Sequence, residues 1–488
     1  MRTGCTEQLT FWRIGKQEVA ADFQGGEIVT DAGLLPIRNF ERRLGILSGL
    51  ARRWPDPRSQ KLVTYRAEHV LTQLVYQVLA GYADSNDANP LRHDALFKTL
   101  LDLPADQPDR HLASGSTLAR FHYAYTRREC ALPAAERPAF FEQREARLDR
   151  VQLLNDYLVE LFVRTRRKAP PYVIVDLDPT DDPTHGQQLL AGFHGYYGQY
   201  QYFPLLLFDG QSGFPLGAWL RPGTVHASCG ATQALDEVVR ALRKVWPEVM
   251  ILVRGDCGLA VPEMYDYCEQ NGLFYALGYG SNAVLKRRTA RHLETVRLAA
   301  KVWGQSVQHF EVLEDYQAGG WPHPRRVLVK LEANSQGVNR RFVVTNLSGD
   351  PQGLYHGFYV QRGNVPERPI GQWKNDLEGD RLSAHGFTAN AMRLGLHTLA
   401  YAIMVLFREA MADEVPELAT AEVGTIRQRL VKVGARVTTS ARRIWFHLSA
   451  SWPMRELFVR VCVALDRYVA SWIPVRRAGP SAAIAALK

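Results

Sequence analysis

At Pro170-Pro171 the hydrophobic pattern of the chain changes its period, and this break limits what the chain can fold into. Upstream, from about residue 30 to 165, apolar residues recur at helical spacing, as in Gly45–Leu50 and Ala67–Ala80. Asp84-Ser85-Asn86-Asp87 and Asn89-Pro90 interrupt that pattern, and Ser114-Gly115-Ser116-Thr117 offers a helix N-cap. A loose stretch from Leu132 to Pro138 then precedes another amphipathic helix running to about Arg164. Downstream of the prolines, Tyr172–Asp178 is a short β-branched run, Tyr202–Phe208 a second, and Phe214–Leu220 a third after the turn Asp209-Gly210. Ala231–Val245 has helical spacing, Val249–Arg254 reads as a strand, Val261–Asn271 as a helix and Leu273–Leu277 as a strand.

Three hairpin-linked strands followed by helix, strand, helix and strand predict an α/β layout with a mixed sheet. That order is the one used by the ribonuclease H-like nuclease fold. Ala300–Trp303, Gln308–Leu313, Arg326–Leu331 and Arg341–Thr345 read as strands split by Gly319-Gly320 and Asn334–Gly337, a β-rich insertion. After Pro366 the chain reads as helical nearly to its end. The most apolar run, Ala389–Phe407, contains Arg393 and His397 and so predicts a buried helix, not a membrane span. The expected organisation is a mainly helical region over 1–168, then a first part of the core over 169–290. The insertion over 291–350, the end of the core over 351–410 and a basic helical region over 411–488 follow.

Composition narrows the class. With 46% hydrophobic and 22% charged residues in 488, the chain is neither disordered, collagen-like nor coiled-coil. Six cysteines without a CxxC pair argue against a disulfide framework or zinc finger and fit a reducing, cytoplasmic compartment. The first residues place no apolar stretch behind their charges, unlike a signal peptide. The formal charge is +9, and from Thr420 onward twelve cations face only Glu422, Glu456 and Asp466, so the excess lies in this tail. Trp445, Phe446, Trp452 and Trp472 interleave with those cations, a pattern of polyanion-binding surfaces and of cores alike.

Three positions stand out for chemistry. Asp176 and Asp178 sit two apart at the end of the first strand and share a face. Asp256 directly follows the fourth strand, and in open sheets sites form beyond the carboxyl ends of strands. In Tyr359–Lys374, Pro366 and Pro369 place a helix start near Glu367, so Glu367 and Lys374, seven apart, lie on one helix face. Carboxylates gathered in this way suit hard divalent ions, and two such ions can clamp both oxygens of a phosphodiester displacement.

The triple Asp178, Asp256 and Glu367, with a β-rich insertion before the last, resembles the DDE transposases of bacterial insertion sequences. Within the insertion-sequence-4-like group it resembles the insertion-sequence 1380 family. Thr30–Leu35, Ala80–Asp87, Asp182–Gly186, Arg381–His385 and the Tyr-Arg-Glu-Lys signature of Tyr359, Arg362, Glu367 and Lys374 carry the same resemblance, which covers most of the chain. Four residues stand between Arg362 and Glu367 where that signature has three. The resemblance implies Asp178, Asp256 and Glu367 as catalytic metal ligands, with Asp176 the near alternative to Asp178. It also implies Tyr359, Arg362 and Lys374 as DNA-contacting residues.

By the same resemblance, two Mg²⁺ ions, with Mn²⁺ as a substitute, serve strand cleavage at element ends and transfer of the 3′-OH to target DNA. The implied partners are double-stranded DNA (terminal inverted repeats and target) and a second copy in a synaptic homodimer, with no membrane. A catalytically silent DNA-binding derivative is the alternative function, and a metal-dependent nuclease without strand transfer a weaker one. Three further signals have blander readings: Gly278–Ala283 imitates a dinucleotide fingerprint, His185 and His194 a zinc site, and Trp373 a base-stacking residue.

Overall fold

The computed structural model describes residues 9–56, 58–123, 149–166 and 168–471. The loose Leu132–Pro138 stretch and the residues after Arg477 lie outside the described residues. The chain forms two compact units, one from residues up to Phe121 and from Phe407 onward, the other from His122 to Leu406.

The first unit opens with an exposed antiparallel hairpin, β1 (Leu9–Ile14) and β2 (Gln17–Ala21), followed by the short β3 (Ile28–Val29). Helices Leu34–Leu44, Ile46–Arg53 and Ala67–Ala80 follow the periodicity of the sequence. The Thr30–Leu35 motif is a packing device. Gly33 lies so close to a neighbouring loop that a Cβ there would sit 1.9 Å from the Leu430 carbonyl oxygen. Asp31 is buried, accepts a hydrogen bond from the Tyr82 hydroxyl (3.0 Å) and pairs with Lys432 (2.6 Å). The Ala80–Asp87 motif contributes that tyrosine, and its Asp84 and Asp87 close a capping box.

The second unit is built on an eight-stranded mixed sheet. Its strands are β4 (Tyr172–Pro179), β8 (Leu205–Asp209), β9 (Pro215–Trp219), β10 (Met250–Gly255), β11 (Phe274–Tyr279), β12 (Val307–Tyr316), β13 (Arg325–Asn334) and β14 (Gly337–Thr345). They are ordered β12-β13-β14-β11-β10-β4-β8-β9. β4, β10 and β11 run parallel, while β8, β9 and the β12–β14 meander run antiparallel to their neighbours. Helix Ala231–Val245 leads into β10, and Pro262–Gln270 joins β10 to β11. Beside the sheet, β5 (Asp182–Pro183), β6 (Gly192–His194) and β7 (Gln199–Tyr202) form a small sheet ordered β5-β7-β6.

Two expectations are corrected. Ala300–Trp303 is the last turn of a helix, Ala290–Trp303, rather than a strand. The four apolar-leaning residues look extended in isolation, but Leu293 and Val296 upstream set a helical period. The remaining strands of the expected insertion are β12, β13 and β14, and they extend the main sheet through β14 pairing with β11. The C-terminal region is also not wholly helical. β15 (Ala435–Ser440) and β16 (Arg443–Leu448) form a hairpin that pairs with β3 in the first unit. There the β-branched and aromatic residues Val437, Thr438, Thr439, Ile444, Trp445 and Phe446 outweigh the charges that suggested a helix face.

Helix Phe387–Met411 is long and apolar enough to cross a membrane, yet the apolar window is buried inside the fold. Its polar residues secure the loop before it. Asn390 exchanges hydrogen bonds with the Ala384 backbone (2.9 and 2.7 Å), Arg393 donates to the Arg381 carbonyl (3.0 Å), and His397 Nδ1 bonds the Leu377 carbonyl (2.9 Å). His122 and His397 are both pushed down to about 3, by burial first and then by the Arg393 charge. A histidine kept neutral in the fold but protonated when unfolded stabilises the protein above its ordinary pKa of 6.5 and loses that contribution as pH falls toward 3. Urea unfolding from pH 6 to 4 is therefore expected to show stability falling by up to about 1.4 kcal/mol per pH unit for each of the two histidines. His397→Asn, which keeps a donor for Leu377, is expected to roughly halve that slope.

Candidate active site

Register places the first two carboxylates. In the parallel pair β4/β10, Arg254 lies opposite Asp176 and Gly255 opposite Leu177. The next residues in step are Asp178 and Asp256, on adjacent strands about 4.8 Å apart at the carboxyl edge of the sheet. Asp256 is fixed by capping the turn Cys257–Leu259, its Oδ1 accepting from the Gly258 amide at 3.0 Å. Glu367 begins the helix Glu367–Asn375, where the positive end of the helix dipole favours an acid.

The three acids share one electrostatic environment. Asp178 is pushed up to about 7, with burial the largest cause. Arg362 opposes the shift, and Asp256, Glu367 and Asp176 add to it by repulsion. Arg362 Nη2 stands 3.3 Å from Asp178 Oδ1, and the guanidinium is buried. The two sequence candidates for the first acid have different surroundings: Asp176 is fully buried and held by Arg254 through two 2.6 Å hydrogen bonds. Arg254 also donates to the Phe358 carbonyl at 2.8 Å and lies over the Phe358 ring. One buried ion pair thus fastens the segment carrying Tyr359 and Arg362 to the face of the sheet.

Tyr359 packs its hydroxyl where a side chain on β11 would otherwise be. A Cβ on Gly278 would lie 2.4 Å from that oxygen and 3.2 Å from the Cys257 amide nitrogen. This explains the Gly278–Ala283 stretch as close packing plus an Asn282 helix cap, with no dinucleotide role needed. Lys374 donates to Asp181 at 2.7 Å. Burial pushes Asp181 up, but the hydrogen bond and charge of Lys374 hold it below the ordinary carboxylate range. Arg362 and Lys374 are therefore both engaged with carboxylates, and Trp373 is a core side chain packed against Gly379. His194 packs between Tyr197 and Phe203, and neither it nor His185 joins a metal-ligating group among the described residues.

Two features escaped sequence reasoning. Asp181 follows Asp178 by three residues, and its spacing was the available signal. The β6–β7 hairpin presents Phe193, Tyr196, Tyr197 and Tyr200, all exposed, and Tyr197 feels the charges of Asp181, Asp178 and Asp256. The Arg381–His385 motif acts at this edge too. The Leu382 carbonyl accepts from Gln188, and His385 exchanges hydrogen bonds with the backbone of Gln187 and Leu189.

The family described as Transposase DDE domain group 1 matches residues 11–470. The chain belongs to this DDE transposase family. Among solved structures it is similar to the piggyBac transposase synaptic complex with hairpin DNA, at 11% identity and a TM-score of 0.41, over 83% of this chain and 80% of that one. Comparison with curated proteins finds no match. Membership implies an enzyme that cuts and transfers DNA.

The donor set suits hard divalent ions. All three groups are carboxylates, and Asp178 stays repelled by its neighbours with one weak partner. The acids are spread more widely than a single-ion cage, since the group of ligand atoms found within 4.8 Å of one another among the described residues lies elsewhere. Arg254→Met is expected to lower stability by about 3–5 kcal/mol, because it strands the buried Asp176 charge. Asp178→Asn, which relieves repulsion, is expected to leave metal-free stability unchanged or higher; thermal unfolding of both variants in chelator checks this.

Proposed function

We propose that this transposase cleaves DNA at the ends of a bacterial insertion sequence, of the 1380 type, and joins the freed 3′-OH to target DNA. The observation that carries the reading is the parallel register of β4 and β10, which sets Asp178 beside Asp256 with Glu367 repelling the same carboxylate. The strand order β9-β8-β4-β10-β11, with three antiparallel members followed by parallel ones, supports a ribonuclease H-like core. Asp178, Asp256 and Glu367 would hold two Mg²⁺ ions, with Mn²⁺ as a substitute; when bound, these activate water and stabilise charge on phosphorus. Arg362 orients Asp178 and moderates the repulsion among the acids. Lys374, tied to Asp181, fixes the helix of Glu367 and presents a cation beside the site.

Double-stranded DNA is the proposed partner, and a homodimer holding two ends the proposed assembly. In the C-terminal region, Arg436, Arg442 and Arg443 are exposed on the β15–β16 hairpin, Arg443 lying over Trp445. They are proposed phosphate contacts, while the helical N-terminal region is proposed to read the ends.

An excision assay on a plasmid carrying the native flanks, with and without Mg²⁺, tests the reading. Wild type is expected to cut. Asp178→Ala, Asp256→Ala and Glu367→Ala are each expected to lose about a thousandfold in rate, about 4 kcal/mol of barrier, while still retarding flank DNA in a gel. Binding without cutting by the wild type would establish the silent DNA-binding alternative, and cutting without joining the nuclease one. In salt titrations of DNA binding, Arg442→Ala and Arg443→Ala are each expected to reduce the log–log slope by about 0.9.

A further inference from the structure

Helix Ala290–Trp303 is fastened to the sheet by little apolar burial. Leu293 and Val296 are its buried side chains, while Leu298, Val302 and Trp303 remain exposed. Beneath it runs β12, the edge strand of the eight-stranded sheet. Phe310 and Val312 of β12 turn toward the apolar cluster around Tyr355. Strand alternation sends His309 and Glu311 to the opposite face. There His292 of the helix meets them, its Nδ1 2.5 Å from Glu311 Oε2. His309 Nε2 stands 4.0 Å from the same carboxylate oxygen, and the two imidazole centroids are 5.3 Å apart. One ligand atom from each residue lies within 4.8 Å of the other two.

Two polar atoms here lack partners. His309 Nε2 and Glu311 Oε1 are shut off from solvent without a hydrogen bond. Buried polar atoms are nearly always satisfied, and two such orphans on neighbouring side chains call for a partner. The Nδ1–Oε2 contact satisfies only His292 and one oxygen of Glu311.

We propose that His292, His309 and Glu311 bind a divalent transition ion of the zinc class, with water as fourth ligand, clipping the helix to β12. Two imidazoles and a carboxylate form a donor set that a borderline ion prefers and Mg²⁺ does not. Such ligands sit about 2.0–2.2 Å from the ion, hence about 3.4 Å from one another at the tetrahedral angle. Small side-chain rotations would open the 2.5 Å His292–Glu311 contact and close the 4.0 Å His309–Glu311 one to that value. No fourth protein ligand is present among the described residues, so the ion remains exchangeable. The site is chemically distinct from the all-carboxylate centre and does not depend on the proposed DNA reaction.

The test uses the full chain, stripped with chelator, in excess Mg²⁺ and titrated with Co²⁺. Wild type and Asp256→Asn are expected to bind one equivalent and develop the intense visible absorption of tetrahedral Co²⁺, which Zn²⁺ then bleaches. His309→Ala and Glu311→Gln are expected to lose that band and bind roughly a hundredfold more weakly or worse, beyond the range of an outer-sphere change. Unchanged unfolding of His309→Ala in chelator shows that the variant folds, and Zn²⁺ is expected to raise the melting temperature of wild type but not of this variant. A Co²⁺ band absent from wild type, retained in His309→Ala, or lost in Asp256→Asn would overturn the assignment.

Discussion

The buried pair Asp176–Arg254 is the contact on which the arrangement of the site depends. It joins neighbouring parallel strands through two short hydrogen bonds in a region closed to water. Desolvating both ions is costly, and a bidentate geometry with further hydrogen bonds is what offsets that cost. The third bond, from Arg254 to the Phe358 carbonyl, extends the clamp to a segment of irregular helix whose Tyr355, Phe358 and Tyr359 also pack into an apolar cluster. Tyr359, Arg362 and the start of the Glu367 helix all follow from that anchor. The candidate site is thus held together by a charge pair whose own groups are committed to one another.

Much of this was legible in the sequence, and the failures have physical causes. The periods of β4, β8, β9, β10 and β11 and of the helices between them were plain because each is buried on a predictable face. The start of the Glu367 helix was legible because Pro366 and Pro369 restrict the backbone. Asp176 and Asp178 could not be separated, since alternation gives them the same face; only the partner across the strand, Arg254, distinguishes them. Arg362 and Lys374 looked like free cations because their acids, Asp178 and Asp181, lie nearly two hundred residues away. The β15–β16 hairpin was hidden by its arginines, which sit on exposed positions of a ribbon as readily as on a helix.

Several motifs that carry the family resemblance prove to be architectural. Asp31, Gly33 and Tyr82 pack one loop against another within the first unit. Arg381–His385 and Asn390 bind the backbone on either side of the site's edge. Even the basic tail is partly spent on structure: Arg460 pairs with Glu417, Arg467 with Glu414 and Lys432 with Asp31. The net charge of this region overstates its capacity to hold phosphates, and the hairpin arginines are a better measure of it.

The partners of the acids distinguish scaffold from site. Asp176 has both oxygens occupied by one guanidinium, so its lone pairs are committed to the fold. Asp178 has a single 3.3 Å contact, Asp256 a single backbone amide, and Glu367 the diffuse field of a helix N-terminus. Each of the three is held well enough to fold beside the others, yet each keeps carboxylate oxygens uncommitted. A protein gaining only stability from these positions would replace at least one of the mutually repelling acids, because Asp178 is raised by burial and by both neighbours. Under the proposed function, three acids with weak partners at the edge of a sheet are the electrostatic cost of presenting free oxygens to a cation, a cost that the closed ion pair two residues upstream does not carry.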